Sequence, residues 1–126
     1  MAESRPVNLN LMTIRFPVMA VVSILHRISG VLLFFGVGYL LYLLHTALAS
    51  EEGFAVAGAM LDAPIHKSGL TAVLALVGYH LVAGIRHLFM DLHVGDNLPF
   101  GRVCAWLTLI ASGVLAGAAY AWIWVL

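Results

Sequence analysis

Three apolar stretches without Asp, Glu, Lys or Arg divide the chain: Ile28–Ser50, Ser68–Ile85 and Val103–Leu126, of 23, 18 and 24 residues. A helix crossing the hydrocarbon core needs about 20 such residues, with roughly 17–25 observed. Each stretch therefore predicts a spanning helix. The second continues past Arg86 through His87–Met90, with Arg86 facing protein or reaching the interface. The pattern predicts an all-α, integral membrane helical bundle. Its three transmembrane helices lie at about 22–50, 66–91 and 102–126, behind an amphipathic N-terminal arm of about 1–20. Two polar connections remain, residues 51–67 and a shorter one from Asp91 to Arg102 that holds Gly95, Pro99 and Gly101. With no internal repeat, residues 1–126 read as one membrane-anchor domain.

Composition agrees. Of 126 residues, 63% are hydrophobic and 10% charged, too little polar surface for a soluble domain of this size. Six basic residues balance six acidic ones, and no basic patch exists to neutralise phosphates, so nucleic acid is not expected as a partner. The single cysteine, Cys104, excludes an internal disulfide and an iron–sulfur cluster held by this chain alone, which wants about four thiolates. The N-terminal sequence lacks the basic-then-apolar layout of a signal peptide. There is no Cys-x-x-Cys-His for covalent haem and no glycine-rich dinucleotide fingerprint.

Five of the six basic residues, Arg5, Arg15, Arg27, Arg86 and Arg102, fall in the N-terminal arm and around the second connection. The first connection has Lys67 against Glu51, Glu52 and Asp62. The positive-inside rule then puts the N-terminus and the second connection in the cytoplasm and the C-terminus on the far side. In the third helix, Gly113 and Gly117 stand four apart, a spacing that predicts close approach by another helix. Tyr120, Trp122 and Trp124 suit an aromatic belt at the far interface.

Two polar clusters interrupt the apolar pattern. Ser23, His26, Arg27 and Gly30 fall at i, i+3, i+4 and i+7, one stripe of a helix. An arginine flanking a membrane helix often just snorkels to lipid phosphates. A histidine beside it, with a serine one turn earlier, favours a solvated cleft or a site. In the second cluster, His80, Gly84, His87 and Asp91 form another stripe. His80 lies about 9 Å along the axis from Arg86, inside the hydrocarbon. An intramembrane histidine must pair, bind a ligand or hold a metal. Hydrogen bonding to a neighbouring helix is the plain alternative. Against it, Gly84 leaves room for a flat macrocycle, and His87 and Arg86 sit where acidic propionates would reach, which puts haem ligation on an equal footing with that alternative. Because successive spans alternate in direction, His26 and Arg27 share a depth with His80 and His87, which suggests one site. His45, His66 and His93 read as interfacial or solvated, and Cys104 as inert.

These residues resemble a known family, the cytochrome b membrane-anchor subunit of succinate dehydrogenase (respiratory complex II), in its bacterial ubiquinone-linked type. The first signature is RPVNLNLMTIRFPVMAVVSILHRIS, from Arg5 to Ser29, which ends in Ser-x-x-His-Arg-x-Ser. The second is HLVAGIRHLFMD, from His80 to Asp91. Together with the three-helix layout they cover essentially the whole chain. One departure is His93, where a small residue is expected.

The resemblance implies a four-chain assembly in the bacterial inner membrane. A flavoprotein and an iron–sulfur subunit lie on the cytoplasmic side, anchored by this chain and a second three-helix anchor. The dicarboxylate site is then in another subunit, and electrons from succinate oxidation pass to ubiquinone in the respiratory chain and tricarboxylic acid cycle. One haem b lies between the two anchors, with an axial histidine from each; His80 matches the ligand position. Ser23 and Arg27 match residues lining the ubiquinone site, and His26 a residue near the haem propionates. Gly84 and His87 complete the expected haem pocket with His26 and Arg27. A carbonyl oxygen of the quinone needs a donor, which Ser23 supplies, and negative charge developing there needs a fixed cation, which Arg27 supplies. Rival expectations are a structural anchor holding haem for assembly only, an anchor of a fumarate reductase, and, more distantly, a small transporter.

Overall fold

The computed structural model describes residues 7, 9, 10, 12–94 and 97–126. Arg5 of the N-terminal arm, and Gly95 of the second connection, lie outside the described residues. Four helices follow one another: α1 (Val18–Ala49), α2 (Glu51–Asp62), α3 (Pro64–Asp91) and α4 (Leu98–Trp124). The described part of the arm carries no helix before α1. Its one local feature is a turn in which Asn10 O accepts from Thr13 N at 3.1 Å.

α1, α3 and α4 are long and apolar enough to cross a membrane. Their starts and stops have local causes. α1 begins four residues earlier than expected, directly after Pro17, whose fixed φ of −64° leads into the first turn. Pro64 occupies the first turn of α3, where a missing N–H costs nothing. The side chain of Asn97 caps α4, accepting from Phe100 N at 2.9 Å, and Pro99 sits in the first turn. α4 therefore starts at Leu98 rather than near 102. α3 ends in a Schellman motif, with His93 N donating to Met90 O and Val94 N to Phe89 O. His93 occupies the left-handed position of that motif at φ 57°. Only glycine adopts this conformation freely, which accounts physically for the small residue expected there.

α2 was not expected; residues 51–67 read as a polar connection. Ser50 caps it by accepting from Gly53 N at 2.9 Å, and Glu51 and Glu52 place negative charge in the first turn. Gly53 lies against the carbonyl of Thr46, where any Cβ would overlap, so α2 folds back onto the end of α1.

The packing inverts that of a soluble protein. Ser29, Arg86, Thr108 and Ser112 are buried, whereas Phe34, Phe35, Leu48 and Val114 are exposed. Outward apolar and inward polar is the arrangement a bilayer requires. On α1 the buried positions are Val22, Ser29, Gly36 and Leu43, seven apart throughout. That spacing marks a seam of the kind that packs at a shallow left-handed angle. Small residues bring the helices together. A Cβ on Gly36 would meet Val73 at 3.1 Å, and one on Gly78 would meet Leu115 at 3.2 Å. Val22, Ala83 and Ala105 form the fully buried centre. Polar bonds between helices include Tyr79 OH donating to Val22 O at 2.8 Å and Trp124 Nε1 to Thr71 Oγ1 at 3.0 Å. Such bonds average only about 0.6 kcal/mol in a membrane, so close packing carries the bundle.

Gly113 and Gly117 do not take part. No atom lies within 4 Å of a Cβ built on either, so the close helix–helix contact expected there is absent within this chain.

Candidate functional site

Val22, Ala83 and Ala105 bring α1, α3 and α4 together, and the next turns of α1 and α3 carry the histidines. His26 projects from α1 between His80 and His87 of α3. Its ring centroid is 4.1 Å from that of His80 at an interplanar angle of 18°, and 4.8 Å from that of His87 at 21°. Seven residues separate the two α3 histidines, a rise of about 10 Å. The three imidazoles therefore form a column along the bundle axis, with His26 in the middle.

Two glycines make the column possible. A Cβ on Gly30 would lie 3.2 Å from His80 Cε1, and one on Gly84 would lie 3.4 Å from His26 Nε2. Gly84 thus accommodates His26 within the chain, the neighbour that sequence spacing alone did not identify.

Ser29 sets the protonation pattern. Its Oγ lies 2.7 Å from His26 O and 2.9 Å from His80 Nδ1. A carbonyl only accepts, so the single hydroxyl proton goes to His26 O, and His80 Nδ1–H must donate to Ser29 Oγ. His80 Nε2 then carries a bare lone pair in the ring plane. Stacking by His26 covers a face of the His80 ring. His87 is fixed differently: its Nδ1 donates to Ala83 O, one turn back on its own helix, at 2.7 Å. In the neutral ring Nε2 is then the lone-pair nitrogen. His26 Nε2 is buried with no hydrogen-bond partner.

His80 and His87 differ in depth. His87 is four residues from the end of α3 and His80 is eleven, about 6 Å and about 16 Å along the axis. His80 is the one held in the apolar interior by a bond to another helix.

Of the residues singled out by sequence, the structure brings together His26, His80, His87, Gly30 and Gly84. Ser23 is half-buried and Arg27 exposed, on the margin of the packed face of α1. Arg86 turns away from the histidines and packs against α4, with Nη2 3.5 Å from Gly101 O. Its expected place beside the haem propionates is not realised within this chain. Among the described residues, no group of three His, Cys, Asp or Glu side chains is arranged to hold a bare metal ion. Ser29 is the site residue that the sequence pattern did not single out, although its i+3 spacing from His26 puts it on the same face of α1. At the opposite end of the bundle, Tyr39 OH and His66 Nδ1 are 2.9 Å apart, so half-buried His66, in the first turn of α3, ties that helix to α1.

The fold defines a class: a small helical protein with three helices able to cross a membrane, two of which bring three histidines together between them. Residues 1–119 match the family model described as succinate dehydrogenase/fumarate reductase transmembrane subunit. The chain belongs to that family. It is 41% identical to the succinate dehydrogenase cytochrome b556 subunit of Coxiella burnetii, over 98% of this chain and all of that one. It is 32% identical to the subunit of the same name from Paracoccus denitrificans, over 90% of this chain and 87% of that one. The Rickettsia felis subunit is also 32% identical, over 90% and 88%.

Proposed function

We propose that this chain is the cytochrome b anchor of a succinate dehydrogenase, holding haem b and forming part of the ubiquinone site. The observation that carries the proposal is the bond between Ser29 Oγ and His80 Nδ1. Metal-ligating histidines nearly always donate their second ring N–H to a fixed acceptor, which sets the tautomer and the ring orientation. His80 is held in that way, deep in the bundle, with Nε2 left for iron. The haem would supply one-electron redox chemistry.

The chain's own residues do the rest. Ser29 orients His80. Gly30 and Gly84 keep the column free of Cβ atoms, and His26 and His87 place polar nitrogens at the level of the propionates. Ser23 and Arg27 face out of this chain, where a second anchor would complete a pocket. There Ser23 Oγ donates to a quinone carbonyl oxygen and Arg27 holds a positive charge beside it. The haem would be shared, with a second axial histidine from the partner anchor. A flavoprotein and an iron–sulfur subunit would dock on the cytoplasmic side and carry the dicarboxylate chemistry. The arginines at the end of the bundle where α1 begins support placing that end in the cytoplasm of a bacterial inner membrane. The names of the relatives favour succinate oxidation over the reverse reaction.

Purification through a tag on this chain tests the reading. It should yield three further subunits and a reduced-minus-oxidised spectrum of a low-spin b-type haem. Recovery of the complex without haem would contradict it.

A further inference from the structure

A second site lies on the other side of α3. Between α3 and α4 is a cavity of about 420 Å³, within the size range of small-molecule sites. Val82, Phe89, Phe100 and Leu107 give it apolar walls, and among the described residues neither Asp nor Glu lines it. One charged side chain does: Arg86, only 7% exposed. Its guanidinium has five N–H donors, yet its one hydrogen bond, from Nη2 to Gly101 O, is long at 3.5 Å, and Nε has no partner.

A buried cation with unused donors beside an apolar cavity is incomplete. A buried charge is tolerated where it is paired and its donors are filled. The complement is an amphiphile with an anionic head and an apolar body. Arg86 is five residues from the end of α3, about 7 Å along the axis, near the boundary between headgroups and acyl chains. A phosphate diester matches the guanidinium fork in shape and charge. With no acidic side chain in the wall to receive a choline, a net-negative headgroup is preferred. The carbonyl oxygens of a quinone could fill donors of the guanidinium but bring no counter-charge, whereas a phosphate supplies both, which a cation as buried as Arg86 needs.

We propose that the α3–α4 cavity is a binding site for an anionic phospholipid, with the headgroup phosphate on Arg86 and an acyl chain along the apolar wall. The site is separate from the histidine column and stands whether or not haem binds there.

Spin-labelled lipids test it in the complex purified through this chain and placed in phosphatidylcholine nanodiscs. Labelled phosphatidylglycerol should show a larger motionally restricted component than labelled phosphatidylcholine. The preference should be about tenfold in association constant, the size expected of a charge-assisted hydrogen-bonded pair. Arg86→Gln should abolish the preference. Ala111→Phe, which fills the cavity and keeps the guanidinium, should reduce the restricted component for both lipids, and it decides the matter if Arg86→Gln does not fold. Equal restriction of the two lipids in the parent complex would overturn the proposal and leave the groove to a partner helix. A phosphatidylglycerol preference that survives both substitutions would also overturn it, since other arginines would then be responsible.

Discussion

Ser29 Oγ and His80 Nδ1 lie 2.9 Å apart, joining α1 to α3 across 51 residues of sequence. The same hydroxyl reaches back 2.7 Å to the carbonyl of His26, whose ring stacks on His80. One serine thus fixes both the proton position and the tilt of the imidazole proposed as the haem ligand.

Ser29→Ala should leave the haem in place but bound about 10–100-fold more weakly, the usual effect of losing an outer-shell partner. Haem titration and the spin-resonance g-values of the ferric state measure it. The same substitution separates the two candidate ligands, because His87 is fixed by Ala83 O and not by Ser29. Unaltered affinity and g-values would point to His87.

Arg27→Ala or Ser23→Ala should sharply lower succinate–quinone turnover while reduction of an artificial dye by succinate survives. Both side chains face out of this chain, and the dicarboxylate site is proposed in another subunit. Parallel loss of both activities would mean that the assembly had come apart, and normal quinone turnover would remove these residues from the site.

The three spans could be read from the sequence because bilayer thickness dictates their length and no other use of such long apolar runs is common. The starts moved by two to four residues, since helix-starting residues such as Asn97 and Pro64 act just outside the apolar window. α2 was missed for want of hydrophobic periodicity: it is short and rich in Ala and Gly, although Ser50 with Glu51 and Glu52 was a legible start. The histidines of the site were visible because a polar group in hydrocarbon demands an explanation. Their partners were not. Spacing along one helix shows which residues share a face, but which neighbour meets that face depends on packing, as with Gly84 against His26, or with Arg86 turned toward α4. Gly113 and Gly117 meet no helix of this chain, so their spacing does not say which helix, if any, they approach.

His93 tests the backbone reading. A non-glycine residue at φ 57° carries a strain of order 1 kcal/mol, part of which is offset by the greater chain entropy of glycine. His93→Gly should raise the denaturation midpoint of the purified complex slightly, by up to about 1 kcal/mol, without altering haem or quinone properties. A lowered midpoint would show that the side chain of His93 contributes more than its backbone costs.

Orientation is tested by fusion. A reporter that works only outside the cytoplasm should be active after Leu126, because the arginines cluster at the opposite end of the bundle. Activity of a cytoplasm-only reporter at that position would invert the placement of both sites.

The central claim is that His80 gives haem its axial nitrogen from this chain. It is tested most directly by the low-temperature optical and spin-resonance spectra of two variants of the complex. His80→Ala should lose the haem or convert it from six-coordinate low-spin to a different state, and exogenous imidazole should restore the parent spectrum. His87→Ala should keep the low-spin spectrum with at most a shifted potential. A parent-like spectrum in His80→Ala without added imidazole, together with loss of low-spin haem in His87→Ala, would contradict the account.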